Sequence, residues 1–248
     1  MENYVIELKN ISKSFGDNVI LENFDFKVKK DEFLTILGPS GCGKTTILRL
    51  IGGFEEPDEG QILFNGEDIT NKEAYERRIN TVFQKYALFP HMNVFDNIAF
   101  GLKIKKMDKK VIKEKVSEVL KLVNLAGFEN REIESLSGGQ QQRIAIARAI
   151  VKDAPIIVLD EATAFSDPEN EYLIQKAFEK LIQNKTVVMI AHRLSTIRNA
   201  DQILVMEKGH LIESGTHDEL LKMGGKYAQM WSSYTESINW KISTGKAV

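Results

Sequence analysis

Along the first thirty residues hydrophobic and polar side chains alternate. Tyr4, Ile6 and Leu8 stand against Val5, Glu7 and Lys9, and Phe24, Phe26 and Val28 against Asp25, Lys27 and Lys29. A period of two predicts strands with one polar side. Phe33 to Leu37 is instead a nearly continuous apolar run, the pattern of a strand covered on both faces. It ends in a glycine-rich turn, Gly38 to Gly43, after which a helix is expected to open at Lys44. Ile62-Leu63-Phe64 followed by Asn65-Gly66 predicts a strand and a tight turn. The period changes near Asp108. Ile112, Val116, Val119, Leu120 and Val123 fall on one helical face, Lys113, Glu114, Lys115 and Glu118 fall elsewhere, and Asp108 is placed to cap the helix. Residues 86–150 are therefore expected to be mainly helical. Short β-branched strands resume at Ile156 to Leu159, Thr186 to Ile190 and Ile203 to Met206. Periodicity is lost from about Tyr234, where the chain is expected to fray.

Composition narrows the class. The 248 residues are 43% hydrophobic and 27% charged, ordinary for a folded domain and unlike a disordered chain. The formal net charge of -2 gives no basic excess for a phosphate backbone, so no nucleic-acid partner is expected. Cys42 is the single cysteine and has no internal partner for a disulfide. The N-terminus lacks the basic start and apolar run of a signal peptide, and no apolar stretch approaches the roughly 20 residues that cross a bilayer.

Three segments carry chemistry. Gly38-Pro39-Ser40-Gly41-Cys42-Gly43-Lys44-Thr45, followed by Thr46, matches G-x-x-x-x-G-K-[ST]. Glycines at these places let backbone N–H groups curl around phosphate oxygens. The helix N-terminus adds positive potential, Lys44 a point charge at the β/γ-phosphates, and Thr45 a hydroxyl for Mg²⁺. Average residue usage yields this pattern by accident in roughly one chain of this size in a hundred. The buried strand before it makes an idle glycine turn a poorer reading still. Asp160 and Glu161 close the apolar run Ile156 to Leu159. Asp160 would hold Mg²⁺ and Glu161 would polarise an attacking water. Acidic strand ends are common, so this pair draws its weight from the phosphate loop upstream. Leu136-Ser137-Gly138-Gly139-Gln140 opens another helix, with Ser137 as its cap and two glycines leaving N–H groups open to an anion. A second phosphate-binding terminus is surplus for one nucleotide, because one ATP has one γ-phosphate.

That five-residue string resembles the signature of the ABC transporter ATPases letter for letter, and the resemblance extends along the chain. By it, Gln84 occupies the Q-loop position that senses Mg²⁺ and the attacking water. His192 is similar to the switch histidine at the γ-phosphate, Phe15 to the aromatic that stacks on adenine, and Asp167 to the D-loop aspartate. Taken singly, each has a blander reading: a surface glutamine, a core phenylalanine, a histidine satisfied beside a strand. Their joint order carries the resemblance. His91, His210 and His217 have no such support and read as structural or exposed.

The family resemblance implies an α/β fold: a P-loop core with a mainly parallel sheet, an N-terminal antiparallel β subdomain and an inserted helical subdomain. Residues 1–248 are expected to form one domain, with 1–85 and 151–233 as the α/β core, 86–150 as the helical subdomain and 234–248 as a tail. ATP and Mg²⁺ are the implied ligands. A homodimer or paired ATPase sandwiching ATP, and transmembrane permease subunits, are the implied partners. The implied place is the cytoplasmic face of the membrane, held peripherally.

The resemblance divides along the chain. Phe83 to Met92, Phe95 to Leu102 and Arg131 to Ser135 are similar to the ATPase subunits of spermidine/putrescine importers. Asp160 to Phe165, Ala191 to Ile197 and Gly215 to Leu220 resemble multidrug-type exporters. Importers of that class more often show Thr-His-Asp at the switch, a Gly/Ser-Ala-Leu-Asp D-loop and a C-terminal regulatory domain, and none of these is expected here. Residues 136–161 are common ground. Both halves imply the same ATPase chemistry and differ on partner and direction. The helical subdomain beside Gln84 is, by resemblance, the surface that receives a membrane subunit, with Tyr86 and Phe89 as candidate anchors. This favours import. A detached exporter motor remains open, although Met1 stands directly before the first strand and no fused membrane segment is expected there. A soluble P-loop small-molecule kinase has no use for the terminus at Ser137. A non-transport ABC protein of translation or DNA repair usually carries two motor cassettes or a long coiled-coil insertion.

Overall fold

The alternating N-terminal pattern folds as a hairpin of β1 (Tyr4–Phe15) and β2 (Asn18–Lys29), antiparallel, with Leu8 opposite Phe26 and Ile6 opposite Val28. The computed structural model describes residues 3–83, 86–160, 168–191 and 197–243. The chain divides into two units, Met1–Arg77 with Val188–Val248, and Arg78–Val187.

In the first unit, β4 (Glu59–Phe64) lies antiparallel to β1, and β5 (Glu67–Asp68) returns beside it across Asn65 and Gly66. Both turn residues have positive φ, 48° and 79°, the backbone that an Asn-Gly hairpin turn supplies. The sheet order is β2-β1-β4-β5. Ile6, Leu8, Ile11, Leu21, Val28 and Ile62 are fully buried, each contributing roughly 1.5–3 kcal/mol over exposure. Val5, expected on the polar side of β1, is buried as well. The register with β2 shifts between Tyr4 and Ile6, and an irregularity of that kind breaks strict alternation.

The apolar run forms β3 (Phe33–Leu37), and the helix expected at Lys44 is α1 (Lys44–Gly52). β9 (Gln202–Glu207) runs parallel to β3, and β10 (His210–Gly215) antiparallel to β9. Within this unit the order is β10-β9-β3-β8, where β8 is Thr186–Ile190, and Ala191 N donates to Ile36 O. Two helices close the unit, α6 (His217–Met223) and α7 (Lys226–Ser243). α7 continues past Tyr234, where fraying was expected. Up to that point, ring contacts from Tyr227 to Trp231 (6.3 Å) and Trp231 to Tyr234 (5.9 Å) support the helix at spacings of four and three.

In the second unit, β6 (Ile79–Val82) and β7 (Ile156–Asp160) are parallel, with Ile79 opposite Ile156 and Val82 opposite Leu159, in the order β8-β7-β6. The expected helical stretch resolves into α2 (Val94–Ile104), α3 (Lys109–Leu122) and α4 (Gly138–Lys152), followed after β7 by α5 (Pro168–Ile182). Asp108 caps α3 as predicted, accepting from Lys110 N at 2.8 Å. α4 is the centre of this unit and packs on α2, α3, α5 and β6. Burial on several sides explains its composition: Ile144, Ala145, Ile146, Ala147 and Ala149 are all buried.

Candidate functional site

The loop from Gly38 to Gly43 is fixed from below and open above. Gly38 has φ 151°, and a Cβ there would lie 2.3 Å from Met206 O on β9, so no other residue fits. Lys44 is 7% exposed and folds back beneath the loop. Its Nζ donates to Gly38 O (2.8 Å) and Pro39 O (2.9 Å) and lies 3.6 Å from Sγ of Cys42, which is buried and free. The carbonyls of the loop are thereby turned toward the ammonium. Pro39, Ser40, Gly41 and Thr45 are exposed at the top, and Thr46 is half-buried. Gly43 stands at the N-cap of α1 and supplies no side-chain cap. The first N–H groups of a helix have no partner within the helix, so α1 presents uncapped donors beside a buried cation. A phosphate fits this cradle, and the Thr45 hydroxyl is a hard oxygen donor of the kind Mg²⁺ prefers.

Phe15 ends β1 and is 44% exposed, with Lys13 Nζ 5.2 Å from its ring centroid. The ring is not core, and one π-face is accessible for stacking.

In the second unit Ser137 caps α4 with a complete capping box. Ser137 Oγ accepts from Gln140 N (3.3 Å), and Gln140 Oε1 accepts from Ser137 N (3.0 Å). A Cβ on Gly139 would meet Asn170 Cγ at 2.8 Å, so this glycine lets α5 approach. Gly138 faces open space. Asp160 closes β7 behind the fully buried Ile156 to Leu159, half-buried itself. Gln84, Glu161, Asp167 and His192 lie outside the described residues. Among the described residues no three His, Cys, Asp or Glu side chains gather as a metal cluster, and no helix is long and apolar enough to cross a membrane. His217 is buried and its Nδ1 meets Tyr227 Oη at 2.6 Å, while His91 and His210 are exposed.

Four residues that matter for this geometry gave no motif signal. Arg77 holds the far end of α1. Its Nη1 donates to Leu50 O (2.6 Å) and Ile51 O (3.0 Å), Nε to Lys72 O and Nη2 to Thr70 O. Burial pulls its guanidinium below the ordinary arginine value. Asn97 is fully buried in α2. Its amide accepts from Phe89 N and donates to Phe89 O, Met92 O and Asn93 O, fixing the turn before that helix. Arg148 Nη2 donates to Tyr86 O at 3.0 Å, and Lys152 Nζ to Ile79 O at 2.7 Å. Tyr86 and Ala87 have φ of 60° and 45°, left-handed backbone that costs a non-glycine residue about 1–2 kcal/mol. Such strain persists where surrounding bonds fix it. Phe89 packs on Phe100 (ring centroids 4.6 Å) with Arg148 above it at 5.6 Å. It is half-buried, with part of the ring committed to packing within this unit.

The ABC transporter family profile matches residues 21–164. The chain is similar to the spermidine/putrescine import ATP-binding protein PotA of Acetivibrio thermocellus, 54% identical over 221 residues, and to that of Clostridioides difficile, 52% identical over 220 residues. These matches cover 88% and 87% of this chain and 63% of each relative, so the chain spans under two thirds of the length of the relatives it matches. Among solved structures, a bacterial Atm1-family ABC exporter with ATP bound superposes with a TM-score of 0.81 at 34% identity, covering 94% of this chain and 42% of the exporter chain.

Proposed function

The chain belongs to the ABC transporter family, and from that premise we propose that it is an ATP-hydrolysing motor subunit that drives polyamine import through separate permease chains. The observation that carries the reading is the uncapped start of α1 above the buried Lys44, a built receptor for a polyphosphate. Residues 38–46 bind the phosphates, and Phe15 stacks on the base. Mg²⁺, held by the Thr45 hydroxyl and the Asp160 carboxylate, supplies charge neutralisation at the phosphates when bound. Glu161 takes the proton of the attacking water, Gln84 and His192 position that water and the γ-phosphate, and Asp167 lies at the dimer contact. The N-terminus of α4, with Ser137, Gly138, Gly139 and Gln140, binds the γ-phosphate of the nucleotide held by a second copy. Phosphoryl transfer asks a protein mainly for positioning and charge stabilisation, which these groups provide.

Residues 86–150 serve as the lobe that receives the permease, on the cytoplasmic face of the membrane. Support for polyamine import comes from the two relatives named for it, which share over half of their aligned residues with this chain. A second reading, the motor of an exporter, draws on the exporter-like residues 191–197 and on the 34% identity with the exporter structure across 94% of the chain.

The test is ATP-driven uptake of labelled spermidine by vesicles carrying a spermidine/putrescine-type permease and this chain. Glu161→Gln serves as the control, expected to bind ATP yet hydrolyse it at least ~10²-fold more slowly, the low end for a lost general base. Uptake that needs ATP and vanishes with Glu161→Gln supports import. Normal ATP hydrolysis without permease binding rejects import and leaves the motor. Normal turnover by Glu161→Gln would place the base elsewhere.

A further inference from the structure

Six lysines fall within eleven residues where α2 gives way to α3: Lys103, Lys105, Lys106, Lys109, Lys110 and Lys113. Asp108 is the single acid among residues 103–113, so the segment carries a net charge of +5. The rest of the chain, with 27 basic and 34 acidic residues, carries -7. All six lysines are exposed. Among the described residues only Lys103 of the six has an ion-pair partner, Asp96. The one acid of the segment is already committed: Asp108 Oδ1 accepts from Lys110 N (2.8 Å) and Val111 N (3.4 Å) as the cap of α3.

Helix stability does not ask for this arrangement. Lys109 and Lys110 open α3 at a terminus that is positive and favours acids, and its first turn holds none. Lys109 and Lys113 stand four apart on one side of the helix, a like-charge pair that weakens it. The backbone that displays them is nonetheless fixed. Lys105 N donates to Gly101 O (3.2 Å), Lys106 N to Lys103 O (2.9 Å) and Met107 N to Leu102 O (3.2 Å), with Lys106 at φ 54°. Leu102, Ile112 and Val116 are buried and anchor the turn from beneath. Ile104, 66% exposed, and Val111, 36% exposed, belong to the same stretch.

The chemistry of the patch selects its occupant. Its cations are all lysine, and residues 103–113 hold no arginine for bidentate phosphate contacts and no aromatic ring on which a base could stack. A nucleic acid is therefore poorly matched. A bilayer leaflet with anionic headgroups fits: long ammonium side chains meet a diffuse negative surface, and the apolar side chains between them reach the headgroup boundary. We infer that the turn from α2 to α3 is a membrane-surface contact of this chain, taking the headgroups of an anionic lipid leaflet. The contact belongs to the chain itself, needs no permease, and goes beyond the motor function proposed above.

The test uses the full chain without nucleotide or permease, sedimented with vesicles of phosphatidylcholine alone or of phosphatidylcholine mixed with phosphatidylglycerol. The wild-type chain is expected to bind the anionic vesicles, to leave the neutral ones bare, and to detach as salt is raised, since salt screens exposed charges. The triple variant Lys105→Gln, Lys109→Gln, Lys110→Gln should bind the anionic vesicles on the order of 10²-fold more weakly, about fivefold for each lysine near a charged surface. Lys110→Gln alone should lose about fivefold. A control triple of exposed lysines elsewhere, Lys30→Gln, Lys176→Gln and Lys222→Gln, should stay within about twofold of wild type. A thermal melt checks that each variant folds; if the first triple does not, Lys110→Gln measured beside the control decides. No binding by the wild-type chain, equal binding to both vesicle types, wild-type binding by the first triple, or equal losses in the two triples overturns the inference. So does tighter binding to a poly-uridine RNA than to the anionic vesicles, lost in the same triple, which would make the patch a nucleic-acid surface. Because neither ATP nor permease enters the assay, a chain that fails in ATP-driven uptake yet binds these vesicles rejects the preceding reading alone.

Discussion

Helices α1 and α4 start in opposite ways. α1 follows a glycine with no side chain to offer, so its first N–H groups have no side-chain cap, and Lys44 at its start is buried. α4 starts with Ser137 and Gln140 satisfying each other's main chain, so its cap is closed before any ligand arrives. An anion at α1 meets no side-chain cap on the helix, and its rivals are the Gly38 and Pro39 carbonyls on the Lys44 ammonium. An anion at α4 meets donors already partly used, with Gly138 facing open space and the Gln140 side chain in competition. Under the function proposed above, the difference predicts an order: nucleotide binds first at α1, and the terminus of α4 joins afterwards, contributing less affinity and more control over hydrolysis.

Removing Lys44 attacks the open site at its charge. Lys44→Ala is expected to weaken ATP binding by about 10²-fold or more, since charge-assisted bonds in a cradle of this kind contribute roughly 1.5–3 kcal/mol each. Wild-type affinity in a fluorescent-nucleotide titration would erase the contrast between the two helix starts. A second, intermediate effect separates their roles. Chains carrying Lys44→Ala and chains carrying Ser137→Arg should each be inactive alone, yet a mixture should recover one composite site per mixed dimer. Mixed dimers that form and stay inactive would contradict a nucleotide shared between two copies. The smallest effect concerns the closed cap itself. Ser137→Ala should cost about 1 kcal/mol of stability, typical of a lost N-cap. That corresponds to a fall of about 2–4 °C in melting temperature for a chain of this size. Nucleotide affinity of the unassociated chain should not change; a large loss of it would place α4 at the primary site and reverse the assigned order.

Half of this contrast is readable from residue types. The glycines before Lys44 predict a bare helix start; at α4 the sequence pointed to the Ser137 cap and to open N–H groups, and the part of Gln140 in closing that cap is seen only in the structure. The strands followed from period, and Asp108 from its place before an apolar stripe. What sequence could not yield were contacts set by tertiary approach. Arg77 reads as one more surface arginine in a charged stretch, yet it ends up buried against the carbonyls that close α1. Asn97 sits among apolar neighbours with no motif to mark it, because its partners are backbone atoms of a turn whose path only folding defines. The register shift that buries Val5 is equally local to strand pairing.

The lysine beneath the phosphate loop has a calorimetric consequence. Its ammonium is already bonded to two carbonyls, so an arriving phosphate exchanges bonds instead of adding them. The measured heat of binding is then a difference between two sets of strong contacts and understates the strength of either. The same contacts hold the loop in an open ring ahead of the ligand, which removes most of the entropy cost of ordering it. Nucleotide association here should therefore show a modest enthalpy and a small ordering penalty, the thermodynamic profile of a lock kept sprung by its own tumbler.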